Sequence, residues 1–164
     1  MTLKPVAVLG YGNPSRGDDA LAPLLLEHIQ QKLNKHLIPD CFDLIDDFQL
    51  QIEHTLDMQG RSQILFIDAS MNAKEPFEFS RIHAAQDDSI SSHALSPVAL
   101  LSVYEQVHHE PAPSAFLIAI PGYRFELGEA LSPKAEANLH QAVEFCDQIL
   151  INTDLAYWNS CLPA

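Results

Sequence analysis

Three side chains stand where an α/β protein could hold a cation. Asp19 ends the glycine-rich loop GYGNPSRGDD, and Asp68 directly follows the unbroken apolar run ILFI. His93 lies in the stretch SSHALSP, just before a helix start. Carboxylate oxygens and an imidazole nitrogen suit a borderline cation such as zinc or nickel better than copper(I). Asp19, Asp68 and His93 are therefore candidate metal ligands, although their spacing alone does not show that they converge.

The glycine-rich loop at residues 10–19 lacks the features of a phosphate site. Ser15 stands where the dinucleotide pattern has its third glycine, and Gly17 is followed by Asp18 where a phosphate loop has lysine. The glycines permit tight turns whatever the ligand is. The alternative role for the two aspartates is helix N-terminal capping, and one can cap while its neighbour points outward. Asp68 has the same alternative, capping the turn that follows it.

The standard signatures of hydrolases are absent from the sequence. There is no His-Glu-x-x-His motif, no Gly-x-Ser-x-Gly motif and no cysteine with a nearby histidine pattern. His108 and His109 are adjacent, so on a helix they do not share a face. The role of His54, in QIEHTLD, stays open between structure and function. The residues alone thus leave a metal site with no covalent nucleophile.

The apolar pattern predicts alternating strands and helices along the chain. We expect strands at 5–10, 42–46, 64–67, 77–82 and 115–120, with the 77–82 segment as an edge strand because it alternates polar and apolar residues. Helices are predicted from about 21 to before Pro39, at 49–57, from Ser96-Pro97 and from Ser132-Pro133, where serine caps and proline opens the helix. The tail after Ile151 is unassigned. These elements predict one α/β domain over 1–164, a three-layer αβα sandwich with a mostly parallel sheet of about five strands and one antiparallel edge strand.

Composition and charge narrow the possible partners. The chain has 164 residues, nine basic against 22 acidic, and a formal net charge of −13 at pH 7. That charge argues against nucleic acid or an anionic membrane as partner. Three scattered cysteines do not suggest a disulfide framework, and the first apolar run breaks at Gly10, too soon for a signal peptide. We expect a soluble, cytoplasmic protein.

Four segments together resemble the hydrogenase maturation endopeptidases, which process the large subunit of nickel–iron hydrogenases. They are VLGYGNPSRGDD, ILFIDAS, SSHALSP and FLIAIPGYRFELGEALSP, in that order, within about residues 5–152. The resemblance implies an endopeptidase that removes a short C-terminal extension from the large-subunit precursor after nickel insertion. It implies nickel that is carried by the substrate, no tightly bound cofactor and a monomer.

The resemblance also implies roles for individual residues. The family has three metal-contacting and catalytic residues: the second acid of the Asp-Asp/Glu pair, an aspartate that ends the third strand and a loop histidine. In this chain they correspond to Asp19, Asp68 and His93. Asn13 and Asp18 are assigned to substrate binding, and Asn13 alternatively braces the turn. Asp18, Asp19 or Asp68 could serve as general base, and the sequence does not choose among them.

Two departures from the family pattern limit the resemblance. Many members have a Gly-Gly-Thr-like stretch after the second strand, where this chain reads DDFQLQIEH at 46–54. This resembles the branch that serves soluble, NAD(P)-linked bidirectional hydrogenases. The glycine that often follows the acid pair is Ala20. Two alternatives stay open: a non-catalytic, metal-sensing chaperone of the precursor, and a zinc or nickel hydrolase acting on other peptides.

Overall fold

A five-stranded sheet organises the protein. The computed structural model describes residues 3–85 and 95–164. The strands are β1 (Val6–Tyr11), β2 (Phe42–Asp47), β3 (Gln63–Ser70), β4 (Glu78–Ile82) and β5 (Ser114–Pro121), in the order β2-β1-β3-β5-β4. All neighbouring pairs are parallel except β4 with β5, which is antiparallel. The α/β fold with one antiparallel edge strand is therefore confirmed.

Helices cover both faces of this sheet. They are α1 (Leu21–Asn34), α2 (Thr55–Met58), α3 (Pro97–His108), α4 (Pro133–Ile149) and α5 (Leu155–Ser160), and short 3-10 helices span Gly17–Ala20 and Ile52–His54. The predicted caps hold, because the Ser96 and Ser132 side chains accept hydrogen bonds from the backbone N–H of Ala99 and Ala135. None of the helices described is both long and apolar enough to cross a membrane.

Each sheet face has its own apolar core. The alternation of side chains along a strand sends Val6 and Val8 to the face covered by α1, α4 and α5, and Ala7 and Leu9 to the face covered by α2 and α3. Buried apolar runs such as 64–67 are thus filled on both sides, as the sequence predicted for central parallel strands.

Two local predictions differ from the structure. The helical segment predicted at 49–57 begins at Ile52, because Gln51 is still extended and Leu50 is buried in the apolar core. The unassigned tail contains α5, whose Trp158 is fully buried and donates its indole N–H to the carbonyls of Ile149 and Asn152 at 3.1 and 2.7 Å. Burial of that indole docks the tail onto the sheet.

The strand order places a crevice between β1 and β3. From β1 the chain turns to β2 on one side and then returns to β3 on the other, so the winding reverses at β1. In open α/β sheets, ligands bind beyond the carboxyl ends of the strands at such a reversal. Asp68 near the end of β3 and the loop after β1 both lie there.

Candidate metal-facing site

The loop after β1 is folded tightly around Asp19. The Asp19 carboxylate accepts a hydrogen bond from the backbone N–H of Asn13 at 2.7 Å. A Cβ at position 12 would overlap the Asp19 carbonyl oxygen, so only glycine allows this close approach. The Asn13 side chain accepts from the N–H of Ser15 at 2.9 Å and braces the turn. Asp19 itself stays partly exposed.

Asp18 points the other way, into the protein. It is fully buried, and its carboxylate accepts hydrogen bonds from the backbone N–H groups of Tyr123, Arg124 and Ser132 at 2.7, 3.0 and 2.7 Å. The Ser132 hydroxyl donates a fourth at 2.7 Å. Asp18 therefore ties the loop after β1 to the segment between β5 and α4.

This position corrects the substrate-binding role predicted for Asp18. Burial opposes its ionisation, but the bonds from Ser132, Tyr123 and Arg124 outweigh that effect and lower the pKa of Asp18 below its ordinary value. A buried carboxylate whose oxygens accept four internal hydrogen bonds has no face left for a substrate or for proton transfer. Asp18 is a positioning residue, and it no longer belongs among the candidate bases.

Asp68 faces a neighbouring acid, Asp19, and the hydroxyl of Tyr11. It is partly buried near the carboxyl end of β3. Burial and the charge of Asp19 raise the pKa of Asp68 to about 7, against a hydrogen bond from the Tyr11 hydroxyl that lowers it. Burial, followed by the charge of Asp68, also raises the pKa of Tyr11. Two carboxylates held close enough to repel each other favour a cation between them.

His93 lies outside the described residues, so its position relative to the two carboxylates stays a prediction. Within 3–85 and 95–164, no group of three histidines, cysteines, aspartates or glutamates is arranged to hold a metal ion. The roles of Asp19 and Asp68 as metal ligands therefore stay predictions, and the described residues do not complete a metal site around them.

Tyr11 and Ser132 are contributors that the sequence analysis missed. A signal for Tyr11 was available: β1 and β3 are parallel with Gly10 opposite Ile67, so the next residues, Tyr11 and Asp68, fall side by side. Ser132 was recognised only as a helix cap. It also donates to Asp18, which follows from a contact across 114 residues that no local pattern encodes.

His54 is a structural histidine. It is buried, its Nδ1 accepts from the backbone N–H of Gln51 at 2.8 Å, and its Nε2 lies 3.3 Å from the Asp47 carboxylate. The acceptor role of Nδ1 places the ring proton on Nε2, facing Asp47. Because the Asp47 carbonyl accepts from the N–H of Gly12, this histidine braces the segment that borders the candidate site.

Solved structures share the fold over nearly the whole chain. A NiFe hydrogenase maturation protease HycI from Thermococcus kodakarensis KOD1 has a TM-score of 0.67 at 20% identity, covering 92% of this chain and 94% of its own. The hydrogenase maturating endopeptidase HybD from E. coli has a TM-score of 0.63 at 22% identity, covering 85% and 88%. At these identities the likeness shows the fold alone.

A curated relative connects the sequence itself to the same proteins. The hydrogenase 2 maturation protease of Escherichia coli (strain K12) is 25% identical over 145 residues, covering 85% of this chain and 86% of the relative. In sequence and in fold, the chain is thus similar to NiFe-hydrogenase maturation proteases. No family model matches the sequence. The relatives are named as proteases and endopeptidases, which supports a peptidase. The branch serving soluble bidirectional hydrogenases stays a prediction.

Proposed function

We propose that this protein removes the C-terminal extension of a NiFe-hydrogenase large-subunit precursor after nickel has been inserted. The observation that carries the proposal is the pair of carboxylates at the crevice between β1 and β3. Asp19 and Asp68 repel each other, and among the described residues neither forms an ion pair with a basic side chain. The arrangement leaves their charge available to a cation that arrives from outside.

In this proposal the cation is the nickel seated in the precursor, and Asp19, Asp68 and His93 face it. Contact with the metal would fix the precursor so that its scissile peptide bond lies over the crevice, which lowers the entropic cost of attack. Asn13, at the mouth of the same loop, is proposed to contact the substrate backbone. The nickel belongs to the substrate, so we expect no tightly bound metal in the isolated protease.

The chemistry is hydrolysis of one peptide bond. A water oxygen adds to the scissile carbonyl carbon, the C–N bond then breaks, and the leaving amine takes a proton. A metal beside that carbonyl could polarise it or lower the pKa of the attacking water. Asp19 and Asp68 are the two remaining candidates for the base that accepts the proton of the water. We further expect a cytoplasmic monomer.

A mass measurement tests the proposal. Purified protein is mixed with nickel-loaded large-subunit precursors from the same organism, and we expect one precursor to lose a C-terminal fragment. Nickel-free precursor should stay intact. His93→Ala should abolish the mass change, while His140→Ala, which alters an exposed histidine on α4, should preserve it. Cleavage by His93→Ala at the wild-type rate would remove His93 from the site.

The same experiment separates the alternative functions. A metal-sensing chaperone would bind the nickel-loaded precursor without changing its mass, and Asp68→Asn would then weaken binding with no rate to alter. A self-sufficient zinc or nickel hydrolase would keep stoichiometric metal after dialysis and would cleave unrelated peptides. Either result contradicts the proposal.

A further inference from the structure

Strand β4 offers a backbone edge on the outer side of the sheet. It pairs with β5 on one side and is last in the strand order, so within the described residues no strand covers its other side. Backbone N–H and C=O groups on such an edge are a template for an added strand. The edge strand is therefore able to bind an extended peptide through main-chain hydrogen bonds.

An apolar groove runs beside that edge. It has a volume of about 650 Å³, and side chains of β4, α4 and the C-terminal tail line it. Phe145 forms its aromatic wall, with ring centroids 5.0 Å from Phe77 and 4.8 Å from Phe79. Cys161 and Pro163 line it from the tail. In strand addition, such a groove takes every second side chain of the bound peptide.

The register of the sheet connects the groove to the candidate site. Ala119 of β5 is opposite Asp68 of β3 on one side and opposite Glu78 of β4 on the other. Asp68 and the beginning of β4 are thus two strand spacings apart, about 10 Å. A strand added outside β4 lies one spacing further, about 14 Å from Asp68, which an extended chain crosses in about four residues.

We propose that the C-terminal extension of the precursor binds as an added strand along β4, with alternate apolar side chains in this groove. The inference rests on the proposed function and names the site for the part of the substrate that is released. About four residues would lead from the scissile bond to the position beside Glu78, and about five more would follow β4 to Ile82. Affinity for the extension then depends on its length and on alternating apolar residues.

The charge of the protein favours this occupant over a second copy of the chain. Pairing of two β4 edges would bring together two molecules that each carry a net charge of −13, which opposes self-association. An extended peptide needs only the edge and the groove. Self-association through β4 is nevertheless a distinguishable outcome, because it would make molecular mass in solution depend on protein concentration.

Cys161 provides a direct test because it is partly exposed in the groove. In a Cys41→Ser variant, a bulky maleimide can react only with Cys161, since Cys146 is buried. After removal of excess reagent, we expect this modified protein to process the nickel-loaded precursor with a KM raised at least about tenfold. The matched control is the Cys161→Ser variant modified at Cys41, which lies outside the groove and should keep its KM.

Protection of the thiol provides a second measurement on unmodified protein. A synthetic cysteine-free peptide with the sequence of the extension should slow alkylation of Cys161 several-fold and leave alkylation of Cys41 unchanged. Equal alkylation rates with and without the peptide overturn the proposal, as does protection that follows from dimer formation. This measurement keeps its value if the modified protein proves unstable, which circular dichroism and thermal melting would reveal.

Shortening the substrate separates this inference from the proposed function. A precursor whose extension is cut to three residues ends short of the added-strand position beside β4, so its KM should rise at least about tenfold. If no full-length precursor is cleaved, the proposed function fails. If full-length and shortened precursors are cleaved with equal KM, the function stands and the groove proposal fails.

Discussion

Asp18 and Asp19 are neighbours in sequence and opposites in environment. Asp18 is fully buried and accepts four hydrogen bonds, and its pKa is lowered. Asp19 is partly exposed, with one backbone donor among the described contacts, and its charge helps to raise the pKa of Asp68. Burial raises the pKa of Asp68 but is outweighed at Asp18 by hydrogen bonds, so the number of donors, and not burial alone, sets the direction of the pKa shift. One aspartate holds the loop in place, and the other is left for a ligand.

The largest effect on precursor cleavage should come from neutralising Asp19 or Asp68. Asp19→Asn or Asp68→Asn should lower precursor cleavage about 100- to 1000-fold, because each removes charge facing the reacting centre. Neither should lower the melting temperature, since both relieve repulsion. Asp46→Asn, at an exposed carboxylate near the end of β2, is the control and should cleave normally. Normal cleavage by both site variants would place the active site elsewhere.

Neutralising the buried Asp18 should lower the stability of the fold. Asp18→Asn puts an NH₂ group among four donors, so at least one buried N–H or O–H loses its acceptor. We expect the free energy of unfolding to fall by about 3 kcal/mol in chemical denaturation. Asp19→Asn is the neighbouring control and should change it little. A stability loss as large in Asp19→Asn would erase the contrast between the two residues.

The two capping serines allow a smaller, matched comparison. Ser132 and Ser96 both cap a helix, but only Ser132 also donates to a buried carboxylate. Ser96→Ala should cost about 1 kcal/mol of unfolding free energy, and Ser132→Ala about 2 kcal/mol. Equal costs in urea denaturation would mean that the hydroxyl bond to Asp18 contributes nothing.

The pH dependence of stability should have opposite signs for the buried Asp18 and for Asp68. Asp18 has a lowered folded pKa, so its contribution is present above its unfolded pKa and is lost as pH falls through the folded value. Asp68 has a raised folded pKa of about 7. The native state therefore binds the extra proton, and stability should fall by more than about 1 kcal/mol as pH rises from about 4 to 7. Asp68→Asn should remove that fall, and an unchanged pH profile would contradict the raised pKa.

Local signals predicted most elements but not their tertiary partners. Serine followed by proline predicted the starts of α3 and α4, because capping and proline geometry are properties of a few adjacent residues. The short helix α5 was missed, because its formation depends on Trp158 docking against the carbonyls of Ile149 and Asn152. The Asp18–Ser132 contact was missed for the same reason, since long-range packing leaves no periodic pattern.

The sequence by itself determined that the strands alternate with helices, that Asp68 directly follows an apolar strand run and that Asp19 ends the loop after the first strand. Apolar runs and the residues that end them are local signals. It also carried the ordered motifs of the family. Only the tertiary structure decided which of Asp18 and Asp19 faces inward. That choice depends on four donors brought from the segment between β5 and α4, and on the packing at Gly12 that turns Asp19 toward Asp68. A carboxylate takes its role from the groups that surround it, and those groups come from distant parts of the chain.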